Sequence, residues 1–133
     1  MSPPAASRDE RSAPWFDAAA DGVLLARRCR SGHWSAPMLF FGGAVLACAT
    51  CGDVDLEWAP TAGRGSLVTW TEVPGPDGGT MAAAVVELDE GPWVFGSLAV
   101  PADERVEGLR LVVGFERPGG GEPVPVFARP GAP

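Results

Sequence analysis

Three cysteines and the single histidine of this sequence lie in one stretch, and their spacing suggests a metal site. Cys48 and Cys51 enclose two residues and precede Gly52, the pattern of a zinc knuckle, because two thiolates at this spacing can grip one tetrahedral ion. The glycine lets amide groups of the turn approach the sulfur atoms. Upstream, Cys29 and His33 supply a second pair of ligand side chains about fifteen residues away, as a zinc ribbon requires. The sequence therefore predicts a Cys₃His zinc site made of Cys29, His33, Cys48 and Cys51.

Two other interpretations of these residues stay open. Three residues separate Cys29 from His33, whereas two separate Cys48 from Cys51, so the first pair has a wider spacing than a zinc knuckle. The thiols could instead be buried and free in a degenerate ribbon. Redox chemistry by Cys48 and Cys51 is disfavoured, because their motif does not open a helix after a strand as a thioredoxin-type site does. If zinc is bound, four protein ligands leave no open coordination position, so the ion would be structural.

The rest of the sequence offers little for catalysis. It contains no lysine and no tyrosine, and no glycine-rich phosphate loop with a following lysine. Glu87 and Asp89 alternate onto one face of a predicted strand and could form an acid and base pair, although a solvated strand end is the simpler interpretation. We therefore expect no catalytic residues.

The charge of the chain restricts its partners. The formal net charge is −7, and all ten basic residues are arginine. Such a balance disfavours nucleic acid, whose binding requires cations that replace counterions, and it disfavours a polybasic membrane anchor. Trp70 and Trp93 could stack bases, but on an acidic barrel they suit a core or a protein interface better. The longest apolar run, residues 37–48, falls short of the roughly 20 residues that cross a bilayer, and no apolar leader precedes the fold, so we expect a cytoplasmic protein.

The pattern of the chain divides it into an arm, a small module and a barrel. Residues 1–13 show no periodicity and are predicted to be a flexible arm. From Pro14 to Arg28, apolar residues at helical spacing predict a short amphipathic helix, in which Trp15 and Phe16 either anchor a partner or pack on the ribbon or barrel. The helix and a zinc-ribbon-like module span residues 14–58, and residues 59–63 resemble a linker.

The remainder, residues 64–129, has the pattern of short strands. Eighteen glycines and fourteen prolines imply many turns, and β-branched residues concentrate between them. The five predicted strands cover residues 66–73, 80–89, 92–100, 109–116 and 124–129. An open sheet of this size would leave two edge strands with unpaired backbone N–H and C=O groups, so we expect closure into a five-stranded OB-type β-barrel. We also expect a helical turn at 101–107, between its third and fourth strands. The fold class is thus mainly β.

The order of these features resembles a known family. The motifs are Trp15-Phe16 ahead of a helix, Gly32-His33-Trp34, the segment 48–52, Gly63-Arg64-Gly65 and the segment 85–91. Together they resemble the rubredoxin-like zinc-ribbon plus OB-fold family associated with thiolases and acyl-CoA metabolism, from about Pro14 to Ala128.

The resemblance implies both ligands and a function. In that family the first knuckle is Cys-x-x-Cys-Gly, and here its second cysteine is missing, so the resemblance extends ligation only to Cys29, Cys48 and Cys51 while His33 is our inference. It implies a non-catalytic accessory subunit that binds a thiolase-like or ketosynthase-like enzyme and helps complete or bridge its acyl-CoA site. The predicted partner-binding residues are Trp15, Phe16 and Trp34. The alternatives are an OB module for single-stranded nucleic acid and a stand-alone enzyme of acyl or polyketide metabolism.

Overall fold

The computed structural model describes residues 10, 12–37, 45–75 and 77–131. One α-helix, α1, is followed by eight β-strands and two short 3₁₀ turns within these residues. Their bounds are α1 Ala13–Ala20, β1 Leu25–Arg28, β2 Trp34–Ser35, β3 Glu57–Pro60, β4 Arg64–Pro74, β5 Thr80–Leu88, β6 Trp93–Leu98, the turn Ala102–Glu104, β7 Arg110–Glu116, the turn Pro118–Gly120 and β8 Val124–Ala128. None of the described helices has the length and apolarity needed to span a lipid bilayer.

Strands β4 to β8 form the predicted five-stranded barrel. It is closed in the order β4-β5-β6-β8-β7. All its pairs are antiparallel except β6 with β8, which run parallel through Ser97 with Val126 and Leu98 with Phe127. A short turn at Ala102–Glu104 lies between the third and fourth barrel strands, where the sequence predicts one. The mainly β fold class is therefore confirmed.

The predicted helix over residues 14–28 is too long. Helix α1 ends at Ala20, and Gly22 follows with φ at +81°, a left-handed conformation that terminates helices and that glycine adopts without strain. Leu25–Arg28 instead forms β1, the centre of a three-stranded sheet with β2 and β3. Pairing of Ala26 with Ala59 also places the start of the predicted linker inside β3, because both backbones find their hydrogen-bond partners there. Most of the predicted arm lies outside the described residues, and α1 begins within it.

The hydrophobic core fills the barrel and extends to α1. Along β5 every second residue is buried, which is the alternation expected of a strand with one face on the core. The largest side chains with less than 2% exposure are Phe127, Leu24, Leu67, Leu88, Leu111 and Val86. Helix α1 contributes Trp15, Phe16 and Ala19 to the same cluster. The helix is therefore packed on the barrel and belongs to its core.

Gly65 in β4 allows the barrel strands to approach each other. A Cβ atom at this position would lie 2.3 Å from the backbone oxygen of Glu87 and 2.8 Å from Cγ1 of Val86. We expect Gly65→Ala to lower the free energy of unfolding by about 1–3 kcal/mol, because the backbone of β5 must move to relieve the contact. Urea denaturation measures this change. Gly114→Ala in β7 is the matched control, since its Cβ would make only an ordinary contact of 3.7 Å, and an equal loss in both variants would contradict the prediction.

Candidate metal centre and surface groove

The four predicted metal ligands come together at the end of the small sheet. The Sγ atoms of Cys29, Cys48 and Cys51 and a ring nitrogen of His33 all lie within 4.8 Å of one another. Cys29 and Cys48 are buried, whereas Cys51 is exposed. The Sγ atoms of Cys29 and Cys51 are 3.7 Å apart, and Cys29 Sγ is 3.4 Å from His33 Nδ1. Sequence reasoning thus identified a set of side chains that the fold brings into one cluster.

Two similar loops carry these side chains. In the first loop the N–H of Cys29 donates to the carbonyl of His33, and the N–H of Gly32 donates back to the carbonyl of Cys29, each at 3.0 Å. In the second loop the N–H of Cys48 donates to Asp53, and Gly52 donates back to Cys48, each at 2.8 Å. Gly32 and Gly52 both have positive φ, at 87° and 74°. The loops therefore share one design, and the first is one residue shorter.

The shorter first loop explains the position of His33. By the hydrogen-bond pattern His33 corresponds to Asp53 of the second loop, one residue after the glycine, whereas Cys51 stands directly before the glycine. The histidine therefore does not stand where the missing cysteine would be. Its longer side chain nevertheless brings Nδ1 to the sulfur atoms.

Backbone N–H groups point at the sulfur atoms, as expected at thiolate ligands. The N–H of His33 donates to Cys29 Sγ at 3.3 Å. The N–H of Cys51 lowers the pKa of the Cys48 thiol to about 6, assisted by the N–H of Thr50. At Cys51 the N–H of Asp53 lowers the pKa, but loss of hydration and the neighbouring thiols outweigh it, so the pKa is raised. Three sulfur atoms this close cannot all carry charge without a cation between them.

The donor set fits a soft or borderline divalent ion. Thiolate and imidazole donors select zinc over magnesium or calcium, which prefer oxygen ligands. A bound ion would join the two loops through Cys29, His33, Cys48 and Cys51, and it would supply a cross-link between two segments that are distant in sequence. The four residues are therefore close enough, and of the right type, to hold a metal ion.

An ion pair that the sequence did not predict connects the same loops. The guanidinium of Arg30 binds the carboxylate of Asp53 through Nε to Oδ2 and through a terminal nitrogen to Oδ1, each at 3.2 Å. The backbone N–H of Arg30 also donates to Asp53 Oδ2, at 3.1 Å. Hydrogen bonds from Arg30 hold the pKa of Asp53 at about 2. Arg30 directly follows Cys29, and Asp53 lies two residues after Cys51. Because 23 residues separate Arg30 from Asp53, their pairing becomes visible only in the folded structure.

The other predicted site residues lie elsewhere. Trp34, in β2, is half-buried beside the guanidinium of Arg28, which lies 5.4 Å from its ring centroid. Asp89 follows the end of β5 and is bound by Arg110 through two hydrogen bonds of 2.8 and 2.9 Å, which lower its pKa. Glu87 is exposed opposite Trp93 of β6. The carboxylate of Asp89 is therefore engaged by Arg110, and β5 does not extend far enough to carry both acids.

Trp15 and Phe16 pack inside the molecule. Their side chains are 4% and 7% exposed, and the indole nitrogen of Trp15 donates to the carbonyl of Leu25 at 3.1 Å. The Trp15 ring meets Phe16 edge-on at 5.0 Å and Phe115 at 6.3 Å. Of the two interpretations that the sequence left open, packing on the barrel is what the structure shows.

Beside this helix the barrel carries an apolar groove of about 500 Å³. Trp93 and Phe95 stand on the outer face of β6 and remain 46% and 41% exposed. The lining residues come from α1, from the barrel strands β5, β6 and β8, and from the chain near them, and none is charged: Trp15, Phe16, Leu24, Pro37, Met81, Ala83, Ala84, Trp93, Val94, Phe95, Gly96, Ser97, Val124 and Pro125. Sequence reasoning singled out Trp93 as a core or interface residue but missed Phe95. The period-two alternation of β6 could have paired them on one face.

A closed five-stranded barrel preceded by a cysteine-containing ribbon defines an OB-fold protein with a zinc-ribbon-like module. Residues 58–116 match the sequence model described as the C-terminal OB-fold domain of ChsH2. A DUF35 domain-containing scaffold protein of Pyrococcus furiosus is 32% identical over 94 residues, which are 66% of this chain and 65% of that protein. These matches support an OB-fold of the kind found in DUF35 proteins, to which the chain is similar.

A solved structure has the same fold over nearly the whole chain. It is the Ltp2-ChsH2(DUF35) aldolase, with a TM-score of 0.75, covering 93% of this chain and 98% of the chain matched. The sequence identity is 24%, so this likeness concerns the fold. The match to the archaeal scaffold protein spans about two thirds of that protein's length.

Proposed function

We propose that this chain is a non-catalytic accessory subunit that binds a thiolase-like or ketosynthase-like enzyme and helps complete its acyl-CoA site. Three observations support the proposal. A relative is named a scaffold protein, and the neighbour of like fold is a DUF35 chain named together with Ltp2 in an aldolase. The resemblance of the motifs implies a thiolase-like partner. The groove beside α1 offers a surface on which such a partner can dock.

The groove is the observation that carries this proposal. Two large aromatic side chains at 46% and 41% exposure, next to each other on β6, are costly to leave in water. Tryptophan is one of the residue types enriched among the side chains that contribute most to the binding energy of protein interfaces. Trp15 and Phe16 line the same groove as Trp93 and Phe95, so the helix contributes to docking by shaping the groove.

The charge of the chain indicates what the partner presents. Glu87 is the cross-strand neighbour of Trp93, and Glu116 is that of Val124, so acidic residues border the apolar lining on two strands. The whole chain carries a formal charge of −7. We therefore expect the partner to insert an apolar segment flanked by lysine or arginine, because opposite charges at the rim accelerate encounter and reject acidic competitors.

The small sheet and the barrel have separate roles in this proposal. Zinc in the Cys₃His cluster is structural and holds the ribbon loops, and with them the adjacent Trp34 of β2, in a fixed position relative to the partner. The barrel lies near the acyl-CoA entrance of the enzyme, and acyl-CoA reaches this subunit only through that enzyme. The subunit acts in the cytoplasm, where its thiols stay reduced.

Replacing Trp93 by alanine is expected to weaken the complex at least about 30-fold, since truncating an aromatic anchor typically costs 2 kcal/mol or more. The measurement is isothermal titration of the purified chain with a thiolase-type enzyme that co-purifies with it and is identified by mass spectrometry. Phe95→Ala is expected to act in the same direction.

Val106→Ser is the matched surface control. Val106 is 57% exposed and does not line the groove, so its replacement should leave the affinity unchanged. Equal affinities for Trp93→Ala and the unmodified chain would remove the groove as the docking site. Self-association through the groove, or uptake of a fatty-acyl thioester by the isolated chain, would assign it a different occupant. Turnover of a thioester by the isolated chain would overturn the accessory role itself.

A further inference from the structure

The contacts between Arg30 and Asp53 differ from those of an ordinary surface ion pair. The carboxylate of Asp53 accepts four hydrogen bonds, three from Arg30 and one from the N–H of Asp55 at 3.0 Å. Its side chain is only 10% exposed. By contrast, Arg30 also approaches Asp55, but at 3.8 Å and with the Asp55 side chain 73% exposed. Bidentate geometry with a shielded carboxylate makes the first pair the stronger one.

Both partners are linked to predicted metal-ligand residues, Arg30 by the peptide bond to Cys29 and Asp53 by a backbone hydrogen bond from Cys48. Arg30 follows Cys29 in the first loop, and its backbone N–H is one of the donors to Asp53. The backbone carbonyl of Asp53 accepts the hydrogen bond of Cys48 at 2.8 Å, which closes the second loop. The side chain and the main chain of Asp53 therefore tie the backbone at Cys29 to the backbone at Cys48 without any ion.

A link of this kind is needed because the first loop is short. In the second loop Cys48 and Cys51 both point into the cluster from one turn, whereas the first loop supplies one cysteine and reaches the cluster again only through the side chain of His33. Imidazole and thiolate must meet one ion at distances fixed to within a few tenths of an ångström. A rotation of the first loop against the second would separate His33 from the sulfur atoms.

We propose that Arg30 and Asp53 form a clasp that positions the Cys29–His33 loop against the Cys48–Asp53 loop, so that the four donors are held together before the metal binds. Asp53 is a positioning residue and not a ligand, because its carboxylate oxygens are already occupied by N–H donors. The inference rests on the proposed metal site and is independent of the partner enzyme.

The test compares metal binding by the full chain and by two variants, Asp53→Ala and Arg30→Met. Competition with a chromogenic chelator gives the zinc dissociation constant and release rate, and cobalt substitution gives the visible absorption of the site. We expect either variant to bind zinc 10–100-fold more weakly, the usual effect of losing a residue that orients ligands. We also expect the cobalt bands of the variants to shift, because the donors no longer converge in one geometry.

Two controls separate positioning from charge and from general stability. Asp55→Asn removes the same charge two residues further along the chain but only the contact at 3.8 Å, so zinc affinity should stay within about 3-fold of the unmodified chain. Asp89→Asn breaks the bidentate pair with Arg110 on the barrel and should not alter metal binding. Asp53→Asn keeps the shape and one acceptor, and should recover part of the affinity lost in Asp53→Ala.

The outcomes distinguish the clasp from the metal site. Unchanged zinc affinity and an unchanged cobalt spectrum in both Asp53→Ala and Arg30→Met would overturn the clasp while leaving the metal site in place. Failure of the unmodified chain to bind zinc or cobalt would overturn both. An effect of Asp55→Asn as large as that of Asp53→Ala would show that charge alone is responsible, and would also overturn the clasp.

Discussion

Replacing Cys48 by serine is expected to abolish zinc binding and to release the second ribbon loop, while the barrel stays folded. Cys48 is 3% exposed, and backbone N–H groups of Cys51 and Thr50 lower its pKa to about 6, which favours the thiolate form that zinc binds. Structural zinc contributes roughly 10–16 kcal/mol of binding free energy that is coupled to folding of the loops around it. Loss of one of four ligands therefore removes the largest single stabilising interaction of the ribbon.

The barrel does not share this dependence. The main buried cluster comprises residues of α1, Leu24 and the barrel, and it includes neither Cys29 nor Cys48. We therefore expect Cys48→Ser to leave the thermal midpoint of the barrel unchanged, whereas amide hydrogen exchange over residues 29–33 and 48–53 becomes fast. Metal analysis by mass spectrometry gives the zinc content. Thr50→Ala, in the same loop but offering no ligand, is the control, and one zinc per chain in Cys48→Ser would contradict the prediction.

The cluster of three cysteines and one histidine was predictable from sequence because few residue types bind zinc and their spacing within each loop is short. Cys29, His33, Cys48 and Cys51 are the only cysteine and histidine side chains of the chain, so chemistry restricted the choice. The clasp was not predictable, since Arg30 and Asp53 are 23 residues apart and resemble solvated charges until the two loops face each other.

The barrel was predictable for a different reason. Alternation of apolar residues and the turn residues between strands specify each strand locally, and closure follows from the cost of open edges. The extent of α1 could not be predicted. Apolar residues at helical spacing continue to Leu24, and only pairing with β3 makes the following residues a strand. Alternation likewise places Trp93 and Phe95 on one face but cannot tell that α1 covers the neighbouring surface and leaves these two rings at the edge of a groove.

Replacing Phe127 by alanine is expected to lower the free energy of unfolding by about 3–5 kcal/mol. Phe127 is 0% exposed and lies in β8, where it is paired with Leu98 of β6 and with Val113 of β7. Its ring fills the space above Gly96, where a Cβ atom would come within 2.6 Å of it. Truncation leaves a cavity that these strands cannot close without breaking their pairing. The free energy of unfolding of a small domain is about 5–15 kcal/mol in total, so this substitution would remove a large part of it.

Phe95→Ala tests whether burial is the cause, because it removes the same ring from a neighbouring strand. Phe95 is 41% exposed, so the ring already contacts water and its loss leaves no enclosed cavity. We expect its cost to stay below about 1 kcal/mol in the same urea denaturation experiment. Similar costs for the two phenylalanines would contradict the assignment of Phe127 to the barrel core. A large loss of partner affinity in Phe95→Ala with little loss of stability would assign the two rings opposite roles, one in holding β8 in the barrel and the other in binding a second protein.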